Sequence, residues 1–223
     1  MPALHRPLWL LATTMSALLA IASAPWALGQ PWLNFVFKPL TTVLVIAMAW
    51  PRGRSTPRLR RWVLGGLGLS LVGDVALLWP REGFLPGLVG FLLAHLAYLV
   101  AFMRVQRLAA RALPFALYGL VSALVLAVLW PGVPPALRVP VVLYVLALAS
   151  MAAQAAVLWL AAPGDAAARR LAIGGALFLV SDALLASNRF AGPLPLASLW
   201  VLATYWTAQA CIASWLAPPR SRS

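Results

Sequence analysis

Two aspartates, Asp74 and Asp182, stand inside otherwise apolar runs in a chain that has only four acidic residues. A carboxylate in hydrocarbon is costly, so it is retained where it faces a partner or a water-filled cavity. Lys38, the single lysine, also interrupts an apolar run, as does His95, with Tyr98 three residues further on. Tyr205 and Gln209 are spaced i and i+4 and share one face of a helix. Two carboxyls near a lysine and a histidine are equipment for proton transfer. Where burial and neighbours set their pKa values apart, one carboxyl can act as an acid while the other stays ionised. Each residue also has a plainer reading. Lys38 can snorkel to a membrane interface or form a structural ion pair with Asp74. His95 can be a satisfied core histidine, and Tyr98 and Tyr205 can be packing residues with bonded hydroxyls.

Helical rise places these residues at one level. At about 1.5 Å per residue, Asp74 lies six residues before Pro80, roughly 9 Å inside its run, and Asp182 lies seven before Arg189, roughly 10 Å inside. Lys38 is seven residues past Pro31, His95 nine past Pro86 and Tyr205 ten past Pro195. The five fall in one layer in the outer half of a bilayer, as a single cavity opening outward requires.

The elements that hold such a layer are membrane spans. Of 223 residues, 63% are hydrophobic and 9% charged, with a mean hydropathy of +0.91. A soluble domain carries roughly 25% charged residues, and a bilayer takes over the role of solvent for the excess apolar surface. A span needs about 20 mostly apolar residues, which predicts helices over 7–28, 32–50, 62–79, 86–103, 113–130, 138–161, 171–188 and 195–216. Breaks fall at proline- and glycine-bearing segments such as Gly29-Gln30-Pro31 and Pro80 to Leu85. The expected fold is an all-α, polytopic membrane bundle of eight transmembrane helices, one domain over residues 1–223.

The net charge of +13 comes mostly from arginines in the gaps between apolar runs. Arg6, Arg52, Arg54, Arg58, Arg60, Arg61, Arg104, Arg107, Arg111, Arg169, Arg170, Arg220 and Arg222 fall on one side of the eight-span arrangement, and Arg81, Arg138 and Arg189 on the other. That asymmetry sets orientation rather than nucleic-acid binding. It predicts cytoplasmic termini in a bacterial inner membrane. Arg6, the run from Leu8, and Ala22-Ser23-Ala24 also resemble a signal peptide, although Pro25 is a poor context for cleavage. Cys211 is the single cysteine and reads as a small buried hydrophobe.

Gly66 to Arg81 overlays Gly174 to Arg189 at an offset of 108, matching Gly66/Gly174, Leu71/Leu179, Val72/Val180, Asp74/Asp182, Leu77/Leu185 and Arg81/Arg189. The overlay pairs spans three and seven and suggests two parallel four-helix halves. The chain carries no phosphate loop, dinucleotide fingerprint, nucleophile elbow or metal-ligand spacing. No metal and no cofactor are therefore expected. Trp50, Trp79, Trp130 and Trp200 near span ends fit an interfacial belt.

The order of motifs resembles a known family. Lys38-Pro39-Leu40 opens span two, and Ser70-Leu-Val-Gly-Asp74 precedes Leu77-Leu78. Phe84, Gly87, Phe91, His95 and Tyr98 follow, then Gly175-Ala-Leu-Phe-Leu-Val-Ser181-Asp182 with Asn188 and Phe190, then Tyr205 and Gln209. Over about residues 30 to 212 the chain resembles the YhhN family, whose characterised members are lysoplasmalogenases. The resemblance implies an eight-helix enzyme that hydrolyses the vinyl ether bond of lysoplasmalogens. Its products would be a fatty aldehyde and glycerophosphocholine or glycerophosphoethanolamine, and its partners a lysophospholipid substrate and the membrane lipids. Asp74 and Asp182 are the expected catalytic pair, with Lys38, His95, Tyr98, Ser181, Asn188, Tyr205 and Gln209 supporting them. A proton-coupled transporter, or a lipid-binding bundle without turnover, is the rival reading of the same intramembrane acids.

Overall fold

Proline and side-chain caps decide where several helices begin. Pro31 and Pro57 take the first helical positions of their helices, where a missing N–H loses no bond and the fixed φ suits the helix. Asp165 caps another, its carboxylate accepting from the Ala167 N–H at 2.8 Å. The computed structural model describes residues 5–79 and 81–218. The side chain of Arg6 and the whole of Pro80, Arg220 and Arg222 lie outside the described residues.

Among the described residues eight α-helices follow one another: α1 (His5–Ala22), α2 (Pro31–Ala49), α3 (Pro57–Ala76), α4 (Phe84–Met103), α5 (Ala112–Leu129), α6 (Arg138–Ala161), α7 (Ala166–Phe190) and α8 (Ala197–Trp215). Two 3-10 turns lie between α5 and α6, and no strand occurs among the described residues. Five segments of the described residues are long and apolar enough to cross a membrane: Pro31–Ala49, Phe84–Met103, Ala112–Gly132, Pro135–Ala161 and Ala166–Phe190. On length and composition alone this is fewer than the eight spans expected. The described apolar part of α1 is short, Leu8–Ala22. α3 starts with Arg58, Arg60 and Arg61, and α8 carries Thr204, Thr207 and Gln209.

The termini of the elements also differ from expectation. α1 stops at Ala22 rather than running to 28, because Pro25 lacks an N–H and the chain turns instead, Leu28 N bonding Ala22 O and Gly29 N bonding Ala24 O. Gly29 has a φ of +60°, a left-handed conformation that glycine adopts without strain. α3 starts five residues before the expected 62, and α7 five before 171, each at its cap.

Six helices close a ring, in the packing order α2, α3, α4, α6, α7, α8 and back to α2. α1 lies outside it against α2 and α8, and α5 lies outside it against α6 and α7. At one end Arg52 ties the ring shut, donating from Nε to Leu216 O at 2.9 Å and from Nη2 to Ser214 O at 3.0 Å, while Gly53 N bonds Ala217 O. Gln154, fully buried in α6, holds the α4–α5 connection. It donates to Gln106 O and Arg107 O and accepts from Ala109 N. α5 turns Leu113, Leu117, Leu120, Leu124 and Val128 outward, all exposed.

Inside the ring, α3 and α4 pack at close range because α3 lacks side chains where aromatic rings seat. A Cβ at Gly73 would stand 2.6 Å from the Phe91 ring, well inside van der Waals contact. That approach lets Phe91 lie between α3 and α8, edge-on to Tyr205 at 5.7 Å.

Candidate active site

The expected polar residues meet inside the ring as two networks, one around each aspartate. Asp74 on α3 is 1% exposed. Thr42 Oγ1 donates to its Oδ2 at 2.6 Å, Tyr205 OH donates to the same oxygen at 2.7 Å, and Lys38 Nζ lies 3.8 Å from Oδ1. Further donors point inward. Trp206 Nε1 donates to Thr42 at 3.2 Å, and Gln209 Nε2 donates to the Tyr205 oxygen at 3.2 Å. Tyr98 OH donates to Gln209 Oε1 at 2.8 Å. Asp74 is the acceptor on which this whole chain of donors ends, and the arrangement draws on α2, α3, α4 and α8.

Asp182 on α7 has different company. Its side chain is 12% exposed, and its Oδ2 accepts a short hydrogen bond from Tyr144 OH on α6. His95 Nε2 on α4 lies 3.1 Å from the Tyr144 oxygen and 3.4 Å from Asp182 Oδ2. The tyrosine has one hydroxyl proton and gives it to the carboxylate, so the imidazole Nε2–H is the donor in the His95–Tyr144 bond. His95 Nδ1 is buried with no hydrogen-bond partner among the described residues. Both contacts of Asp182 use Oδ2, and Oδ1 has no hydrogen bond or ion pair among the described residues.

The two networks share no hydrogen bond or ion pair among the described residues; an aromatic wall separates them. Phe178 sets its ring edge-on to His95 at 4.6 Å on one side and to Tyr205 at 5.5 Å on the other. Asp74 and Asp182 are therefore not in direct contact with each other.

Asp182 and Tyr144 open onto an apolar cleft between α4, α5, α6 and α7, of about 840 Å³ with its open mouth included. Its walls are side chains such as Leu88, Phe91, Leu126, Val141, Leu148 and Leu179, with Ser122 a further polar group. The cleft lies where α5 rests on α6 and α7 and leaves the α4 side open. At the mouth, Phe84 and Phe190 meet edge-on at 5.9 Å, and the Arg189 guanidinium sits over the Phe84 ring at 4.9 Å.

Two expected site residues stand apart. Ser181 donates to Val201 O at 3.0 Å and fastens α7 to α8. Asn188 accepts from Leu194 N at 2.9 Å and shapes the α7–α8 turn. Tyr144, Thr42 and Trp206 were not anticipated. Tyrosine, threonine and tryptophan are ordinary in apolar helices, and only the packing of α6 on α4 and α7, or of α8 on α2, reveals what they touch.

The family model for the YhhN family matches residues 33–216. The chain belongs to the YhhN family. Among relatives, it is 40% identical over 196 residues to a lysoplasmalogenase of Sus scrofa, covering 82% of this chain and 75% of that one. A lysoplasmalogenase of Mycobacterium bovis is 33% identical over 171 residues, 73% of this chain and 62% of its own. An uncharacterized membrane protein of Escherichia coli that carries the family's name is 35% identical over 125 residues, 55% of this chain and 58% of its own. No solved structure matches. With membrane proteins as relatives and five apolar segments of spanning length, this family member is an integral membrane protein.

Proposed function

We propose that this protein is a lysoplasmalogenase-like ether hydrolase whose proton donor is Asp182. The observation that carries the reading is a carboxyl braced by Tyr144 and His95 on the wall of an otherwise apolar cleft. The relatives named lysoplasmalogenase supply the substrate class. The alkenyl chain of a lysophospholipid lies in the cleft, where burying each CH₂ contributes about 0.8 kcal/mol.

The Asp182 carboxyl protonates the outer vinyl carbon, and an oxocarbenium ion forms at the carbon that bears oxygen. Water adds there and returns a proton to the carboxylate. The hemiacetal then collapses to a fatty aldehyde and glycerophosphocholine or glycerophosphoethanolamine. One water is consumed and nothing is oxidised. Tyr144, oriented by His95, holds Oδ2, so that Oδ1 faces the vinyl ether and the carboxylate formed on proton transfer already has its donor in place. Asp74 acts from behind Phe178. Its network fixes Tyr205 and α8, and its negative charge favours the cationic intermediate. Arg189 stands seven residues beyond Asp182, roughly 10 Å along α7. That separation suits the phosphate of a substrate whose vinyl ether lies against Asp182.

All eight helices span the membrane in this reading, with both termini cytoplasmic in a bacterial inner membrane, as the one-sided arginines favour. The chain is a tandem of two four-helix halves. Two parallels support this: α1 packs on α2 as α5 packs on α6, and α3 packs on α4 as α7 packs on α8. Each aspartate is also held in the same way. Asp74 takes partners from α2 and α8, and Asp182 from α6 and α4.

The test is aldehyde release by detergent-purified protein given lysoplasmalogen, with a saturated ether lysolipid as control. Wild type should release aldehyde from the vinyl ether alone, and Asp182→Asn should release none while eluting as a folded protein. Equal turnover by Asp182→Asn sinks the assignment of the acid. No release by wild type, together with substrate flux in sealed vesicles, turns the reading toward a carrier.

A further inference from the structure

We propose that a groove between α3 and α4, at the end of the bundle that carries the arginine-rich connections, binds one anionic phospholipid. It takes the headgroup on Arg58, Arg61 and Arg104, and an acyl chain along α3. The inference stands apart from the hydrolase reading, since the groove lies toward the opposite end of α3 and α4 from the cleft and shares no residue with it.

The groove encloses about 960 Å³ with its open mouth included. Arg58 and Arg61 are one turn apart on α3, and Arg104 caps the adjoining end of α4. All three are exposed, and none hydrogen-bonds or ion-pairs with another described residue. Arg60 differs, spending its donors on Trp50 O and Arg52 O. No carboxylate of the described residues ion-pairs with the three. Asp74 and Asp182 lie in the interior networks, Asp165 caps α7, and Glu82 sits in the connection at the far end of α3. Three unengaged guanidiniums around one space fit a phosphate.

A solvated arginine cluster is the default at such an end of a membrane protein, so the rest of the groove has to discriminate. Arg61, Gly65 and Leu69 follow at i, i+4 and i+8 on one strip of α3, with Ala97 of α4 also lining the space. From Arg58 to Leu69 the strip descends roughly 16 Å along the axis, out of headgroup depth and into hydrocarbon. Trp62 lies beside it, the residue type that favours that boundary. Gly65 is the telling position. A Cβ there would meet nothing within 4 Å, whereas one at neighbouring Gly66 would collide with the Tyr98 ring. Gly66 is required by internal packing and Gly65 is not. Yet a helix-interior glycine costs stability relative to alanine. The notch it leaves suits an acyl chain, which a free phosphate ion does not need.

Native mass spectrometry of the full chain tests this, titrating dioleoyl-phosphatidylglycerol, dioleoyl-phosphatidylcholine or inorganic phosphate into the detergent-solubilised protein. Each basic residue near an anionic lipid contributes about fivefold, so three should favour phosphatidylglycerol on the order of a hundredfold. The Arg58→Gln/Arg61→Gln/Arg104→Gln variant should lose that preference. Gly65→Leu, whose Cβ would meet nothing within 4 Å, should lower lipid retention at least tenfold while the thermal midpoint holds. Equal retention of both lipids, or an unchanged preference in the triple variant, overturns the proposal. Displacement of lipid by inorganic phosphate, with Gly65→Leu silent, makes the groove a site for the free ion and overturns the lipid assignment.

Discussion

Tyr144→Phe removes one oxygen atom and leaves the ring edge-on to His95, where it now lies at 5.2 Å between centroids. That oxygen gives its proton to Asp182 Oδ2 and takes one from His95 Nε2 at 3.1 Å. Without it, Asp182 keeps His95 at 3.4 Å as its remaining partner and is free to rotate about its Cα–Cβ bond into the cleft. A hydrogen bond to a charged group contributes about 1.5–3 kcal/mol. The Tyr144 bond strengthens as the carboxyl releases its proton, so most of that value falls on the transition state rather than on substrate binding. The expected loss is about 10- to 150-fold in kcat, with KM changed by less than about threefold. The assay is initial-rate aldehyde release from lysoplasmalogen in detergent micelles, at several substrate concentrations, with Tyr98→Phe as the companion. Tyr98 belongs to the Asp74 network and should cost stability before it costs rate. Wild-type kcat in Tyr144→Phe, alongside an inactive Asp182→Asn, would refute the claim that this hydroxyl prepares the carboxyl. Equal losses in Tyr144→Phe and Tyr98→Phe would refute the separation of the two networks.

Asp74→Asn leaves Lys38 buried without its counter-charge, and breaking a buried pair costs about 3–5 kcal/mol. Thermal denaturation in detergent should show a lowered midpoint that Lys38→Met partly restores in the double variant; an unchanged midpoint in the single variant excludes a stabilising pair. Arg189→Gln should raise KM several-fold at nearly constant kcat, and a fall in kcat alone would remove the guanidinium from headgroup binding. Leu126→Trp places an indole in the cleft and should suppress turnover of long-chain lysoplasmalogens before short-chain ones. A uniform effect across chain lengths would mean that the chain lies elsewhere.

The anomalies of the sequence were the legible part of the site. A lysine, a histidine and two aspartates in apolar runs are conspicuous because hydrocarbon makes them costly, and the structure gathers Lys38 to Asp74 and His95 to Asp182. The helix order was legible from apolar runs broken by proline and glycine, which act locally. What joins helices was not legible. Tyr144 is one aromatic among many, and its role depends on α6 lying against α4 and α7 at one register. Ser181 belongs to the expected site through the motif that carries the family resemblance, but successive residues on a helix point about 100° apart, and its hydroxyl faces α8. Asn188 lies past the cleft's polar level, where it serves the turn. The expected catalytic pair, Asp74 and Asp182, shares a depth without a direct contact. Depth is axial, and Phe178 occupies the lateral space between the two networks.

The closed ring has a consequence for biosynthesis. Tyr205 lies 131 residues after the Asp74 it serves, and Trp206 lies 164 after Thr42. A ribosome delivers Lys38 and Asp74 to the bilayer long before α8 emerges. During that interval the two charges have only each other and Thr42 to lean on. Asp182 differs, since both of its partners, His95 and Tyr144, are synthesised before it. Assembly therefore completes from the C-terminal side. The cleft acid is dressed on arrival, and the buried one waits for the last helix to seal the ring. Nascent chains arrested before residue 197 should be cleaved by an added protease within α2–α3, and full-length chains should resist; equal resistance would mean that the first half matures without the second.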